Sequence, residues 1–145
     1  MDPARAKSYL MELSRQRQTI RRLNEQLTEI QARMGASSPR LQEEHVRKSR
    51  VYDSLERAAV QAADLKQEIQ ERTLTYWILR EEVIERIHKL TDYQQIDILY
   101  RVYVQEQSAA EAAAQMGITY RHAMRIHAAA LEAFAELLPL QEQEK

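Results

Sequence analysis

Two long stretches of the chain carry apolar residues at spacings that alternate between three and four, the pattern of a coiled-coil seam. In the first stretch these residues are Leu10, Leu13, Ile20, Leu23, Leu27, Ile30 and Met34, with Gln16 filling the place between Leu13 and Ile20. In the second they are Val51, Leu55, Ala58, Ala62, Leu65, Ile69, Tyr76, Leu79 and Val83, with Arg72 at a seam position. The pattern predicts one helix that begins at Asp2-Pro3 and a second over residues 41–90.

The stretch from Gly35 to Pro39 breaks the first pattern, and Gly35 suits the end of a helix. At 1.5 Å per residue the first helix is roughly 45 Å long and the second roughly 75 Å. Folded back as a hairpin, the first helix cannot cover the whole second helix. We therefore expect residues 1–90 to form a helical hairpin or coiled-coil stalk with its break near 35–40. Its second helix should meet the C-terminal domain from Tyr76 onward, and the stalk should pair with a second copy in a homodimer.

Beyond residue 90 the pattern changes to short helices. Two pairs, Thr91 with Gln94 and Ser108 with Glu111, have the spacing of a capping box. Thr119 can cap a further helix, which Pro139 stops. These signals predict a C-terminal domain over residues 91–138 and a frayed tail over residues 139–145.

Residues 108–131 have the order of a helix-turn-helix. A short helix ends at Gly117, which can adopt the left-handed conformation that a tight turn requires. Ala113 lies where two helices must cross closely. Helical spacing turns six residues inward, namely Ala112, Met116, Ile118, Ala123, Ile126 and Ala130. It turns five residues outward along the second helix, namely Tyr120, Arg121, Met124, Arg125 and Ala128.

Composition also favours an all-α fold. Ala, Glu, Gln, Arg and Leu dominate, 30% of residues are charged, and there are only two Gly and three Pro, whereas strand-rich proteins need turns and β-branched runs. The chain has no Cys, which excludes disulfides and thiolate metal sites. It also lacks a signal-like N-terminus and an apolar run of roughly 20 residues. We expect a cytoplasmic protein with no membrane segment.

Charge is unevenly distributed along the chain. Residues 1–50 hold eleven Lys/Arg against six Asp/Glu, a balance of +5, whereas residues 91–145 hold four against eight, a balance of −4. Neutralisation of phosphates supplies most of the non-specific affinity of a protein for DNA. A C-terminal domain that binds DNA would therefore bind it weakly alone. The basic patch Arg15, Arg17, Arg21 and Arg22 is either the solvated face of the coiled coil or an auxiliary phosphate-contacting surface.

Three segments of the C-terminal domain resemble region 4 of bacterial sigma factors: Ile98 to Val104, Ser108 to Gly117, and Thr119 to His122. The closer resemblance is to phage regulators of late transcription of the RinA/ArpU type. Their recognition helix carries Tyr-Arg-His, then Arg-aliphatic-His and Ala-Leu. Here these are Tyr120-Arg121-His122, Arg125-Ile126-His127 and Ala130-Leu131. The resemblance covers residues 91–138 and scarcely extends to residues 1–40.

The resemblance implies that the helix beginning after Thr119 enters the major groove of double-stranded DNA. In that arrangement Tyr120, Arg121, Met124 and Arg125 reach base edges, while His122 and His127 lie near the sugar-phosphate backbone. The N-terminus of the preceding helix, at Ser108, faces a phosphate. The implied DNA-binding residues are Ser108, Thr119, Tyr120, Arg121, His122, Met124, Arg125 and His127.

Two positions depart from the family pattern. Glu106 stands where Gly is common between the first two helices, which implies a strained turn or a different one. Ala112 stands where a larger aliphatic residue is usual, which implies a thin core.

Other chemistry has little support in the sequence. His122 and His127 are five residues apart, so a helix does not align them as metal ligands, and no third ligand is nearby. Glu81, Glu82 and Glu85 are explained by pairing with Arg80, Arg86 and Lys89 on a helix face. No phosphate-binding loop or nucleophile motif occurs. We expect a protein that is not an enzyme and that has no catalytic residue, metal or cofactor.

Two hypotheses of function follow. The first is a sequence-specific DNA-binding transcriptional regulator encoded by a phage or prophage. The second is an adaptor whose region 4-like domain and stalk bind RNA polymerase or another protein. Region 4 of sigma factors serves both roles, so the two can coexist. A DNA-packaging recognition subunit also combines these elements, but such subunits usually place the DNA-binding module first.

Overall fold

The computed structural model describes residues 2–36 and 45–139, and every regular element in these ranges is a helix. The helices are α1 Pro3–Ala36, α2 His45–Ile87, α3 Tyr93–Leu99, α4 Ala109–Met116 and α5 Tyr120–Ala135. A π-helical segment, Tyr100–Val104, continues α3. The predicted all-α class is confirmed. No described helix is long and apolar enough to traverse a lipid bilayer.

The predicted break between the two long helices falls partly outside the described residues. α1 ends at Ala36, and Gly35, which was expected at the helix end, lies in its last turn. Residues 37–44, which include Pro39, and residues 140–145, which are most of the predicted tail, lie outside the described ranges.

The chain divides into two compact units, and the division differs from the boundary predicted at residue 90. The terminal unit consists of Met1–Gln16 and Tyr76–Lys145, and the middle unit is Arg17–Thr75. The first turns of α1 and the last turns of α2 therefore belong with the short helices. Tyr76, from which α2 was expected to meet the C-terminal domain, is the first α2 residue of the terminal unit.

In the middle unit, α1 and α2 run antiparallel along the predicted seam. One shallow groove between them is lined by Gln26, Glu29, Ile30, Arg33, Gln61, Asp64, Leu65 and Glu68. A second is lined by Arg33, Met34, Ser54, Leu55, Arg57, Ala58 and Gln61, so later residues of α1 lie beside earlier residues of α2. Ile30 and Ala62 are buried, and the other apolar seam residues of this unit are half-buried.

Arg72 does not occupy the seam position that the sequence predicted for it. Its side chain is exposed, and its Nε lies 3.1 Å from Glu68 Oε1, one turn earlier on the same helix. Thr73 takes the half-buried position instead. A seam residue three positions after Ile69 and one four positions after it fit the pattern equally well. Removing a guanidinium from water is costly, however. The smaller and neutral threonine is therefore the half-buried residue of this turn.

The core of the terminal unit is assembled from four helices. The largest fully buried side chains among the described residues are Leu10 and Leu13 of α1, Val83 and Ile87 of α2, Ile98 and Leu99 of α3, and Phe134 of α5. The buried residues of α4 are only Ala112 and Ala113, in line with the thin core that the sequence implied. Fully burying a large aliphatic or Phe side chain contributes about 1.5–3 kcal/mol. α1 and α2 thus supply apolar stabilisation that the short helices lack.

Tyr9 of α1 joins three helices of the terminal unit. Its hydroxyl donates a hydrogen bond to Glu82 Oε1 of α2 at 3.1 Å, and the Arg86 guanidinium lies 5.1 Å from the centre of its ring. Arg86 also pairs with Glu82 at 3.0 Å. The ring centres of Tyr9 and Phe134 of α5 are 5.8 Å apart, a separation at which aromatic pairs attract. This cluster fixes α5 against both long helices.

Asp92 caps α3. Its Oδ1 accepts hydrogen bonds from the backbone N–H groups of Gln94 at 2.9 Å and Gln95 at 3.1 Å. The sequence-based prediction of Thr91 as the cap is wrong. A carboxylate gains more than a hydroxyl at this position, because its charge is stabilised by the positive end of the helix dipole.

Glu106, between the π-helical segment and α4, adopts a conformation that favours Gly. Its φ is 60°, and no other non-Gly residue in the described ranges has a positive φ. In this left-handed region the Cβ atom approaches the following carbonyl oxygen, which costs about 1–2 kcal/mol. Glu106, which stands where the family pattern has Gly, is thus a strained residue. The backbone of the turn keeps the conformation that suits Gly.

We expect Glu106→Gly to be more stable than Glu106→Ala by about 1 kcal/mol, because both variants lose the side chain and only Gly relieves the positive φ. Chemical denaturation followed by circular dichroism measures the free energies of unfolding. Gly117→Ala is the control of opposite sign: Gly117 has φ 71° and no atom within 4 Å of an added Cβ, so this variant should lose stability through backbone conformation alone. Equal stabilities of the two Glu106 variants would contradict the strain.

Candidate nucleic-acid interface

The connection between α4 and α5 is a tight turn with a side-chain cap on each helix. Ser108 Oγ accepts a hydrogen bond from the Glu111 backbone N–H, and Thr119 Oγ1 accepts one from the His122 backbone N–H, each at 3.1 Å. Gly117 ends α4 in the left-handed conformation, with φ 71° and ψ 30°. These three local predictions are confirmed. Both hydroxyl groups keep their own hydrogen available to donate to a ligand.

α5 presents one face to the core and the opposite face to solvent. Its buried residues are Ala123, Ile126, Ala130, Leu131, Phe134 and Ala135. All five residues predicted to face outward are exposed, namely Tyr120, Arg121, Met124, Arg125 and Ala128. The helical spacing explains their exposure. Small and apolar residues recur on one side of α5, and the long polar residues therefore lie on the other side.

The exposed face of α5 has unpaired donors at its centre. In the described part of the chain, the guanidinium groups of Arg121 and Arg125 make no hydrogen bond or ion pair. Tyr120 and Met124 flank them, exposed to 57% and 39%. A positively charged helix face with aromatic and thioether side chains beside it can form hydrogen bonds, ion pairs and apolar contacts with one ligand.

His127 does not join this exposed group. Its Nε2 lies 2.7 Å from the Tyr103 hydroxyl, and the two rings stack with their centres 5.7 Å apart. Partial burial, and to a lesser degree the nearby Lys7 ammonium of α1, lower the pKa of His127. Burial raises the pKa of Tyr103 to about 12. A neutral imidazole and a neutral phenol therefore share this hydrogen bond, and His127 helps to hold α5 in place.

His122 lies on the opposite flank of α5, where it borders a depression shared with α3. The depression is lined by Asp92, Gln94, Gln95, His122, Arg125, Ile126 and Ala129. Sequence reasoning missed the two glutamines, because they precede the start of α5 by about twenty-five positions and only the packing of α3 on α5 brings them together. Gln94 was noted only for the spacing of a capping box, and nothing in the sequence marked either glutamine as an interface residue.

Comparisons with known proteins identify no related protein. No family model matches the chain, and no curated protein or solved structure matches it either. The assignment of a role to α5 therefore depends on the geometry of the terminal unit and on the resemblance of residues 91–138 described above.

The terminal unit also brings charges from α1 to the side of α5. Lys7 acts electrostatically on His127, although the two residues are far apart in sequence. The C-terminal segment 91–145, with its balance of −4, thus does not stand alone electrostatically. Elsewhere in the described ranges, no three His, Asp or Glu side chains are grouped closely enough to hold a metal ion.

The lowered pKa of His127 makes the stability of the fold depend on pH. In the unfolded chain the imidazole titrates near pH 6.5, and in the folded chain it titrates lower. Between these two values the unfolded chain binds more protons, so stability should fall as the pH decreases through this window. Denaturant midpoints measured from about pH 7.5 to 5 test this. His127→Gln should flatten the profile, because it removes the group with the lowered pKa. An unchanged profile in His127→Gln would refute the assignment.

Proposed function

We propose that the protein is a sequence-specific DNA-binding regulator of transcription, in which α4, the turn and α5 form a helix-turn-helix and α5 reads the major groove of double-stranded DNA. The observation that carries the proposal is the exposed face of α5, where Arg121 and Arg125 are unpaired on a helix that the core holds in a fixed position. The resemblance to phage regulators of the RinA/ArpU type supports the same role. The chain then acts by binding, in the cytoplasm, without catalysis or a cofactor.

Each exposed residue has a distinct part in this proposal. Arg121 and Arg125 can each donate two hydrogen bonds to O6 and N7 of guanine. Met124 offers an apolar contact to a thymine methyl group, and the Tyr120 hydroxyl can donate to a phosphate. Ser108 and Thr119 cap their helices with the hydroxyl oxygen and can donate the hydroxyl hydrogen to the backbone.

The middle unit supplies the second part of the proposal, a hairpin through which two copies associate. Its seam residues other than Ile30 and Ala62 remain half-buried, so two helices do not complete their own core. Tyr52, Val60 and Leu74 of α2 are exposed to between 57% and 64%. At 100° per residue these three fall within about 80° of one another on the helix. A second copy that covers this face would place two recognition helices on one duplex.

A binding role toward another protein is the second candidate. The negative balance of residues 91–145 limits attraction to DNA, and the exposed apolar side chains Tyr120 and Met124 suit a protein surface equally well. In that case the chain is an adaptor that contacts RNA polymerase through α4 and α5. The two candidates differ in whether the native chain alone binds a duplex.

Arg125→Ala should weaken binding to a duplex selected from a randomised pool by about 1–3 kcal/mol and relax the preference at one base position. The fold should persist, because the side chain points to solvent. Fluorescence anisotropy with the full chain measures the affinity, and a panel of single-base variants of the duplex measures the preference. Arg57→Ala, an exposed arginine of the middle unit, is the matched control. Unaltered affinity and preference in Arg125→Ala would remove this residue from the interface, and failure of the native chain to select any duplex would favour the adaptor.

Sedimentation of the native chain at micromolar concentration should report a dimer. Val60→Glu should shift the equilibrium to the monomer, because it places a charge in the covered apolar face. Gln61→Glu adds the same charge on a different side of α2 and should leave the dimer intact. A monomer at all concentrations, or equal effects of the two variants, would contradict association through this face.

A further inference from the structure

The depression between α3 and α5 contains hydrogen-bond donors that the fold does not use. Gln94 and Gln95 enter it from α3, and His122 and Arg125 enter it from α5. In the described part of the chain, none of these four side chains makes a hydrogen bond or ion pair, although the backbone N–H groups of the two glutamines are bound to Asp92. Two amides, an imidazole and a guanidinium thus converge on one concave surface.

We infer that this depression binds one phosphodiester group of the DNA backbone, with Gln94 and Gln95 of α3 as contacts additional to those of α5. The inference rests on the proposed function. It extends the interface from the recognition helix to a helix that the sequence did not implicate.

The position of the depression favours a backbone phosphate over a base edge. A helix in the major groove directs its outermost residues, here Arg121 and its neighbours, at the bases. His122 and Ala129 lie toward one side of that face, at about 100° and 80° from Arg121 on the helical wheel. The groove is about 12 Å wide, so the sides of an inserted helix approach the sugar-phosphate strands. Donors carried by α3 on this side therefore meet phosphate oxygens.

Charge within the depression sets how the phosphate is held. Arg125 contributes one positive charge and Asp92 one negative charge, while the glutamines are neutral. The Asp92 carboxylate caps α3, and its negative charge repels a phosphate nearby. Binding must therefore depend on neutral amide donors more than on net charge. A neutral donor releases no counterion, so its loss lowers the affinity without changing the dependence on salt.

The test measures the affinity of the full chain by anisotropy across a salt series, for a duplex selected from a randomised pool and for an unrelated duplex. The double variant Gln94→Ala/Gln95→Ala should bind both duplexes about tenfold more weakly. Its slope against salt should equal that of the native chain. Gln70→Ala, an exposed glutamine of the middle unit, is the control and should retain native affinity.

Asp92→Asn gives a second result, which a purely structural role would not produce. Asn caps a helix about as well as Asp, so α3 should persist, while the repulsion of the phosphate is removed. We expect binding to both duplexes to strengthen by about three- to fivefold. Glu136→Gln makes the same change in net charge at the end of α5 and should have a smaller effect.

The outcomes separate this inference from the proposed function. Native affinity in the double glutamine variant, or weaker binding by Asp92→Asn with its helix content intact, would overturn the phosphate site even when Arg125→Ala weakens binding as expected. Loss of preference for the selected duplex in the glutamine variant would also overturn it, since that result assigns the glutamines to base edges. A native chain that binds neither duplex would overturn both proposals.

Discussion

Burial of the first turns of α1 within the terminal unit is the constraint on which the exposed face of α5 depends. α4 is built largely of Ala, and its buried residues fill little volume. Leu10 and Leu13 of α1 are fully buried, and Tyr9 contacts Phe134 of α5. At about 1.5–3 kcal/mol for each large apolar side chain, these residues supply an amount comparable to the net stability of a small domain. Residues 91–138 therefore form only part of the unit that positions α5.

The local features of the candidate site were predictable because each depends on a few neighbouring residues. A left-handed Gly117, the caps Ser108 and Thr119, and the outward face of α5 follow from residue type and helical spacing. The strain at Glu106 was also visible, since a residue with a Cβ atom stood where the backbone favours Gly. Such signals lie within one or two turns of the residue concerned, and the structure reproduces them.

The remaining features depend on which apolar face meets which. Periodicity showed that Leu10 and Leu13 lie on the same apolar face of the helix as Leu27 and Ile30. It does not show which other helix packs against that face. In the structure, the first part of this apolar face belongs to the terminal unit and the second part to the middle unit. For the same reason, the pairing of His127 with Tyr103 and the meeting of Gln94 with His122 had no sequence signal. Even within one helix, spacing could not choose between Arg72 and Thr73, and the cost of desolvating a charge decided it.

The way in which α5 is held bears on how the protein could bind DNA with so few positive charges. Tyr103 contacts α5 at His127, and Tyr9 contacts it at Phe134, so its backbone is fixed before any ligand arrives. A preordered helix loses only side-chain freedom on binding, at about 0.5–1.5 kcal/mol for each immobilised side chain. Few phosphates are neutralised, however, so one terminal unit gains little affinity from counterion release. If two copies bind one duplex, the first contact raises the effective concentration of the second. The overall affinity can then increase by a factor of roughly 10² or more. The exposed apolar face of the middle unit, distant in sequence from α5, is therefore as much a part of the proposed recognition as the arginines themselves.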